Sequence, residues 1–310
     1  AMDRSRFPDF ERRIAVGLAG EGSECFGFDD EISRDHDFGP GFCMWLTRED
    51  YEKIGGDLQK EYDSLPRVFM GSPARVDSSP EHAGRRVGAL RIDNFFSKYI
   101  GRGDTDLTMT EWVRVPESSL ATAANGEVFY DPLGTFSAIR AGLRWPEDVR
   151  LKKISARAAL MAQSGQSNYA RCLSRGEAVG AFMALGEFVQ HASSMIFLIN
   201  RRFAPFYKWT HRAMRELTLL REAPALLEKL AQGRIDLSNW NFASPGDMGS
   251  VINQRDNNVV QLEKLCRMVK EHLQAERLTD SNDDFLIPHA ECVRSRIKDK
   301  SLRSMHLMEV

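Results

Sequence analysis

The pattern of apolar residues changes near Trp145-Pro146, and this change constrains the fold more than any other feature of the sequence. Before it, short apolar runs alternate with turn residues and helical stretches, which is typical of an α/β arrangement. After it, apolar residues recur at helical spacing and glycines are few, which predicts helices. A chain of 310 residues has room for two domains. We therefore predict an α/β domain over residues 1–145 and a helical domain over residues 146–310.

The predicted elements follow from runs that are bounded by turn and capping residues. The predicted strands cover residues 14–19, 42–47, 87–92 and 127–130. The predicted helices of the first half cover residues 48–65, with Thr47 as the N-cap, and residues 118–124. Those of the second half cover residues 147–163, 174–200, 207–232 and 259–276. Residues 236–256 are predicted to form a loop.

The composition disfavours several partners and compartments. The 42 basic and 44 acidic residues leave a net charge of -2, so we expect no DNA partner, and RNA is disfavoured. The five cysteines are never spaced as CxxC, which argues against a zinc site or a disulfide framework and favours reduced thiols in a cytoplasm. No apolar run approaches the roughly 18 residues needed to cross a bilayer, and the start of the chain is too charged for a signal peptide. We expect a cytoplasmic protein with no membrane partner.

Residues 20–39 carry the side chains most typical of chemistry. The first predicted strand runs out into Gly22-Ser23, a small pair that allows a sharp turn whose N–H groups can hold phosphate. Asp35 and Asp37 precede the second strand, and in an extended segment both carboxylates lie on one side. Two close carboxylates stay ionised most easily around a cation, and Mg²⁺ prefers oxygen ligands together with substrate phosphates. The segment therefore predicts a metal–nucleotide site at the ends of neighbouring strands.

The same residues resemble the signature of the nucleotidyltransferase superfamily, whose members include polymerase β-like and aminoglycoside nucleotidyltransferase-like proteins. In that signature a strand ends in Gly-Ser and, after a spacer, Asp-x-Asp opens the next strand, as Gly22, Ser23, Asp35 and Asp37 do here. The longer string over residues 22–37 resembles a bacterial branch known only as a domain of unknown function. Further matches extend the resemblance over residues 14–212; they are Glu111-Trp112 and residues 116–120, 126–131 and 203–209. The resemblance implies a nucleotidyltransferase-type mixed sheet with flanking helices, followed by a C-terminal helical bundle.

The sequence departs from the superfamily pattern around the aspartate pair. His36 stands where an aliphatic residue is usual, and it is either a base or ligand or, facing away from the pair in a strand, a packed histidine. Gly39-Pro40-Gly41 interrupts the following strand, which predicts a late start or a bulge. Asp29-Asp30 is a rival carboxylate pair, but adjacent residues of an extended chain point to opposite faces, which favours a cap or turn role.

The resemblance also implies a third carboxylate from the next central strand. Asp93 ends the predicted strand over residues 87–92, where ligands of open α/β sheets gather. The alternative for Asp93 is an N-cap of the helix that follows. Glu111 is the second candidate, with a solvated loop residue as its alternative.

Two basic residues of the second half are candidates for phosphate binding. Arg171 lies with Arg175 in a basic, polar patch that suits a triphosphate or acceptor, and its alternative is an ordinary surface position at a helix start. Lys208 stands among aromatic residues over residues 206–209, so it either reaches the β- and γ-phosphates or extends to water beside an aromatic cluster that faces the core. The resemblance favours phosphate for Lys208, because related two-domain nucleotidyltransferases draw such basic residues from the helical half.

Together these features predict a Mg²⁺- or Mn²⁺-dependent nucleotidyltransferase that moves a nucleoside monophosphate, with AMP expected, from an NTP to a hydroxyl acceptor. The acceptor is a small molecule, a protein side chain or an RNA end. The predicted metal ligands and catalytic residues are Asp35, Asp37 and Asp93, and the predicted nucleotide contacts are Gly22, Ser23, Arg171 and Lys208. The alternative is a non-catalytic nucleotide-binding regulatory or antitoxin-like module of the same fold. A phosphatase or nuclease is disfavoured, because no additional histidine–carboxylate cluster accompanies the aspartates.

Overall fold

The computed structural model describes residues 6–33, 39–66, 68–73, 85–238, 240 and 253–310. The chain divides into two compact units. The first consists of Ala1–Thr108 and Val115–Arg144, and the second of Met109–Arg114 and Trp145–Val310. The short segment Met109–Arg114 thus belongs with the second unit, although the rest of that unit follows residue 144.

The first unit is built on a mixed sheet of four strands in the order β5-β2-β1-β6. Strand β1 runs antiparallel to both β2 and β6, whereas β2 and β5 are parallel. The strands of the unit are β1 Ala15–Leu18, β2 Cys43–Leu46, β3 Val68–Phe69, β4 Ser72–Pro73, β5 Gly88–Arg91 and β6 Glu127–Tyr130, of which β3 and β4 form a separate hairpin. The prediction of a mixed sheet with flanking helices is confirmed, and its four strands lie within the four predicted runs.

In the described part of the first unit, six α-helices flank these strands. They are α1 Ser23–Phe26, α2 Arg48–Asp50, α3 Gly56–Asp63, α4 Ile92–Ile100, α6 Glu117–Ala124 and α7 Thr135–Gly142, with a π-helical stretch Tyr51–Gly55 between α2 and α3. The predicted N-cap of α2 is confirmed, because the Thr47 side chain accepts a hydrogen bond from the Asp50 N–H. The buried Asp50 carboxylate also accepts two hydrogen bonds of 3.0 Å from Arg13 Nε, which satisfies its charge.

Both faces of β2 are buried, which explains its unbroken apolar run. On one face the Trp45 ring stacks on Phe136 of α7 with 3.9 Å between centroids, and it meets Phe95 of α4 edge-on. On the other face Met44 and Leu46 pack in a cluster with Leu58 of α3. The sheet core therefore fixes the positions of α3, α4 and α7.

The second unit is helical, and its described residues contain no strand. Its helices are α5 Met109–Arg114, α8 Glu147–Met161, α9 Ala170–Leu173, α10 Ala178–Ile199, α11 Tyr207–Met214, α12 Ala223–Gln232, α13 Asn257–Ala275, α14 Leu286–Ser295 and α15 Lys300–Ser304, with a π-helical stretch Ala162–Tyr169 after α8. The single helix predicted over residues 207–232 is wrong. The chain turns between α11 and α12, and Pro224 stands in the first turn of α12, where its missing N–H costs nothing.

Helix α10 contains a long apolar stretch. By length and composition it is the one helix among the described residues that is long and apolar enough to cross a membrane. Of its apolar 18-residue window, 56% is buried inside the protein, and a buried core helix of a globular protein passes the same test. The search of the sequence for an unbroken apolar run did not identify this helix, because Glu187, Gln190 and His191 interrupt its apolar residues. These properties alone are weak evidence for a membrane segment.

Candidate functional site

The end of β1 and the start of β2 lie at the same edge of the sheet. The two strands are antiparallel and Gly17 pairs with Cys43, so residues 20–23, which follow β1, lie where the chain enters β2. We call this edge of the sheet, where residues 20–23 lie beside the start of β2, the Gly22 edge. Strand β2 begins at Cys43, after the predicted interruption over residues 39–41. Asp35, His36 and Asp37 precede this strand in the sequence and lie outside the described residues.

The turn at Gly22-Ser23 has a backbone that only glycine adopts readily. Gly22 has φ 121° and ψ 147°, and a Cβ there would collide with the Glu24 carboxylate. Ser23 begins the short helix α1, and its Oγ donates a hydrogen bond of 2.8 Å to Asp29 Oδ1. The neighbouring Asp30 carboxylate accepts from the Ile32 N–H at 3.1 Å, which is the turn role expected for this pair. The turn is therefore a compact element held by its own side chains.

The loop between α6 and β6 is distant from residues 20–23 in the sequence, and it supports the Gly22 edge through hydrogen bonds. Asn125 Oδ1 accepts from the Gly20 N–H at 2.8 Å, and Asn125 Nδ2 donates to the Gly20 carbonyl at 2.7 Å. The Gly126 N–H donates to the Cys25 carbonyl at 2.9 Å. Arg140 of α7 donates to the carbonyl oxygens on either side of Asn125, at 3.1 and 2.6 Å. Sequence reasoning missed Asn125 and Arg140, although Asn-Gly between a helix and a strand is a turn signal.

Replacing Asn125 is expected to loosen this support. Asn125→Ala removes both hydrogen bonds to Gly20 and leaves the part-buried N–H and carbonyl of Gly20 without these partners. The free energy of unfolding should therefore fall by about 1–3 kcal/mol. Urea denaturation measures the change. The matched control is Asn94→Ala on the exposed face of α4, which should alter stability by less than about 0.5 kcal/mol. Equal stabilities of the two variants would contradict the supporting role of Asn125.

Three charged side chains, those of Glu21, Lys98 and Arg86, also lie at the Gly22 edge. Glu21 Oε1 is 2.9 Å from Lys98 Nζ, and Glu21 Oε2 is 3.9 Å from Arg86 Nε. Lys98 reaches the edge because α4 starts after β5 and ends near β1, where the Tyr99 hydroxyl would be 3.1 Å from a Cβ on Gly20. Burial, helped by Glu21, raises the pKa of Tyr99 above its ordinary value. None of these residues was singled out from the sequence.

Asp93 lies at the opposite edge of the sheet. Strands β2 and β5 are parallel and Leu46 pairs with Arg91, so Asp93 follows the carboxyl end of β5, beside Arg48, which follows β2. The Asp93 carboxylate is 2.5 Å from Arg91 Nη2 and 2.9 Å from Arg48 Nη2. The hydrogen bond from Arg91, with that from Arg48, lowers the pKa of Asp93 to about 2. The structure therefore does not bring Asp93 to Gly22-Ser23.

The alternative role predicted for Asp93, as an N-cap, is not observed. Arg91 occupies the N-cap position of α4, and Asp93 is the second residue of the helix. Glu111, the other candidate carboxylate, lies in helix α5 of the second unit and not in a solvated loop, and it is partly buried. The two candidates thus belong to different units, and neither is among the residues of the Gly22 edge.

The two predicted phosphate-binding cations lie on the surface of the second unit. Arg171 in α9 is exposed, whereas Tyr169, two positions earlier, is buried and its hydroxyl accepts from Asn258 Nδ2 at 2.9 Å. Lys208 in α11 is exposed, and its Nζ is 4.6 Å from the centroid of the Trp209 ring. Tyr207 is 80% exposed, so the aromatic residues do not all face the core, whereas Trp209 is half-buried beside the exposed lysine. Arg171 and Lys208 are both accessible to a ligand.

Within the described part of the chain, no group of three or more His, Cys, Asp or Glu side chains is placed to hold a metal ion. The predicted ligands Asp35 and Asp37 are outside that part, and they stay a prediction from the sequence. Their carboxylate oxygens are the type of donor that Mg²⁺ prefers.

Comparison with known proteins gives one family-model match, over a segment of the chain. Residues 112–210 match the model of a family described as "Domain of unknown function (DUF4037)". No curated protein matches the chain. Among solved structures, a nucleotidyltransferase-like protein from Exiguobacterium sibiricum is similar at a TM-score of 0.35 and 12% identity, over 90% of this chain and 78% of that one. So weak a likeness establishes neither the fold family nor an activity.

Proposed function

We propose that this protein is a Mg²⁺- or Mn²⁺-dependent nucleotidyltransferase that moves a nucleoside monophosphate, AMP first among them, from an NTP to a hydroxyl acceptor and releases pyrophosphate. The observation that carries the proposal is the meeting of the Gly22-Ser23 turn with the amino end of β2 at one edge of the sheet. Asp35 and Asp37 precede Cys43, the first residue of β2, by eight and six positions in the sequence. A phosphate-binding turn and a carboxylate pair on neighbouring strands are what a metal–nucleotide site needs.

In this proposal Asp35 and Asp37 hold the metal ion. When bound, it supplies charge neutralisation for the triphosphate and activation of the acceptor oxygen. In this proposal the backbone N–H groups of the Gly22-Ser23 turn contact the phosphates once the flexible Glu24 side chain, whose carboxylate lies against Gly22, has turned away. Catalysis of this kind depends on position and electrostatics, so the chain needs no covalent nucleophile.

The positions of Arg171, Lys208 and Asp93 in the structure support their predicted roles to different degrees. Arg171 and Lys208 are exposed cations that can screen a triphosphate. Asp93, the predicted third metal ligand, is held by two arginines at the opposite edge from Gly22. The proposal therefore rests on Asp35 and Asp37, and a third ligand is not essential to it.

The proposed function is tested by incubating the protein with each of the four Mg²⁺-NTPs and with a metabolite extract. Released pyrophosphate is measured, and mass spectrometry searches the protein and the extract for an added nucleoside monophosphate. Pyrophosphate release with such an adduct is the expected result. Nucleotide binding without release would overturn the enzyme proposal in favour of a regulatory module. Release of orthophosphate alone would overturn it in favour of a phosphatase.

Lys208→Ala is expected to weaken NTP binding more than NMP binding, because a lysine placed for the β- and γ-phosphates has nothing to contact in a monophosphate. A lost charge-assisted contact is worth about 1.5–3 kcal/mol, or about ten- to a hundredfold in affinity. Calorimetric titration of both ligands measures the ratio. Lys229→Ala, on the exposed surface of α12, is the matched control.

An unchanged NTP-to-NMP ratio in Lys208→Ala would contradict the phosphate role. In that case the lysine only stacks on Trp209, and the variant should lose about 0.5–1 kcal/mol of stability instead.

A further inference from the structure

Residues 201–221 carry six lysine or arginine residues and a single acidic residue, Glu216. The near-neutral charge of the whole chain conceals this segment, because a sum does not show where the charges lie. Three of the six cations, Lys208, Arg212 and Arg215, belong to helix α11 and its C-cap, and all three are exposed. Their spacings of four and three residues place them on one face of the helix. We call these three residues the α11 stripe.

Exposed aromatic rings lie at the start of the same helix. Tyr207, the first residue of α11, is 80% exposed, and Phe206, which precedes it, is 44% exposed. The centroids of the two rings are 4.4 Å apart. Aromatic side chains bury most of their surface in a folded core, so two neighbouring rings left in water beside several cations indicate a surface for a ligand.

The turn at the start of α11 is fixed by hydrogen bonds. Thr210 Oγ1 donates to the carbonyl oxygens of Pro205 and Phe206, at 3.0 and 3.2 Å. Before this turn, Trp145 Nε1 donates to the carbonyl oxygen of Arg202 at 3.2 Å. The exposed rings are therefore presented by an ordered backbone, and binding to them requires little further ordering of the chain.

We propose that the α11 stripe and the Tyr207 ring bind single-stranded nucleic acid. An aromatic face stacks on an unpaired base of any kind, and cations along one face neutralise the phosphates of the same strand. Lys208 has a triphosphate role in the proposed function, so Arg212 and Arg215 are the phosphate contacts that this inference adds. The inference rests on the proposed function in one respect, because it makes a hydroxyl group of the bound strand the acceptor.

An anionic membrane surface is the other ligand that combines phosphate groups with room for aromatic side chains. A helix that lies in a membrane surface needs a broad apolar face. Helix α11 lacks one, because Trp209 is half-buried and Met214 is buried, which leaves Tyr207 as its exposed ring. A single ring beside a row of cations suits a strand of unpaired bases better than a lipid surface.

The test measures the fluorescence anisotropy of labelled oligouridylate and oligodeoxyuridylate, each about 16 nucleotides long, titrated with the full chain at several salt concentrations. Wild type should bind at least one of them, and the oligomer bound more tightly identifies RNA or DNA as the source of the strand. Tyr207→Ala should weaken binding about five- to a hundredfold through lost stacking, whereas Tyr207→Phe keeps a ring and should bind like wild type. Arg215→Gln should weaken binding and reduce the slope of log affinity against log salt by about 0.7, the value of one phosphate contact.

The matched controls are Phe182→Ala, which removes a 68% exposed ring from α10, and Arg267→Gln, which removes an exposed arginine from α13. Both should bind like wild type, and thermal melting of each variant checks that folding is retained. Equal affinities of Tyr207→Ala and Phe182→Ala, an unchanged salt slope in Arg215→Gln, or no binding of either oligomer would overturn the inference. Binding to phosphatidylserine vesicles and to neither oligomer would overturn it in favour of a membrane surface.

Transfer of a nucleotide to the strand is scored separately, by mass spectrometry of each oligomer after incubation with Mg²⁺-NTPs. An oligomer that gains a nucleoside monophosphate supports the strand as the acceptor. Pyrophosphate release with another acceptor and no oligomer binding would leave the proposed function standing without this inference. Oligomer binding that Tyr207→Ala weakens, in a protein that releases no pyrophosphate, would leave the nucleic-acid surface standing and overturn the proposed function.

Discussion

Gly126→Ala is expected to lower the free energy of unfolding by about 3 kcal/mol or more, as substitutions that force a backbone clash in a packed region do. Gly126 has φ 71°, and a Cβ there would collide with the carbonyl oxygen of Leu18 and lie 2.7 Å from Cα of Ala19. These are backbone atoms at the end of β1, so they cannot rotate away as a side chain can. Either the α6–β6 loop or the chain leading to Gly22 must move. Chemical denaturation measures the loss.

Gly134→Ala is the matched control. Gly134 has nearly the same backbone conformation, φ 70°, but a Cβ there would meet no atom within 4 Å. This variant should lose only the cost of a left-handed alanine, about 1–2 kcal/mol. The difference between the two variants isolates the close approach of Gly126 to β1. Equal losses would contradict the conclusion that this contact supports the Gly22 edge.

The four strands of the mixed sheet could be predicted from the sequence, because each lies in a β-compatible run bounded by turn residues. The pairing of these strands could not be predicted, and this pairing decides where Asp93 lies. A residue after a strand is expected at the carboxyl edge of an open sheet, and Asp93 is at that edge of β2 and β5. Because β1 is antiparallel to β2, however, Gly22-Ser23 lies at the other edge. In a mixed sheet, the direction of each strand decides which strand ends lie at the same edge. A local sequence pattern does not specify that direction.

Helical periodicity predicted the length of α10 better than its orientation. Phe182, Leu185, Val189 and Ile196 occupy positions that periodicity assigns to a core. Leu185 and Ile196 are buried, but Phe182 is 68% exposed. Apolar residues are so frequent around this helix that several faces look alike, and the packing of neighbouring helices decides which one is buried. The same limit applies to residues 207–232, where the apolar spacing continues across a turn.

The supporting and charged residues of the Gly22 edge were beyond sequence reasoning for another reason. Asn125 acts on Gly20 across 105 positions, and Lys98 reaches Glu21 only because α4 folds back along the sheet. In the sequence a lysine near the end of a helix is typical of a solvated position, which is also favourable for the helix dipole. Only the tertiary contact distinguishes it from the other lysines of the chain.

Asp35→Asn and Asp37→Asn are each expected to lower the rate of pyrophosphate release by about a thousandfold or more. Each removes a proposed metal ligand, and the charge stabilisation that a bound metal supplies is worth several kcal/mol. Folding should be retained, because replacing one of two neighbouring carboxylates relieves like-charge repulsion in the metal-free protein. Stopped-time pyrophosphate assays measure the rate, and calorimetric titration with Mg²⁺-ATP measures binding.

Asp57→Asn is the matched control for this pair, since Asp57 is an exposed aspartate of the first unit whose carboxylate is 2.8 Å from Lys60 Nζ. It should keep wild-type turnover and lose at most an exposed surface ion pair. Wild-type affinity for Mg²⁺-ATP in both Asp35→Asn and Asp37→Asn would remove the aspartates from the site. If only Asp37→Asn lowers turnover and metal-dependent binding, a single carboxylate carries the metal, and a site with two carboxylate ligands is the wrong description.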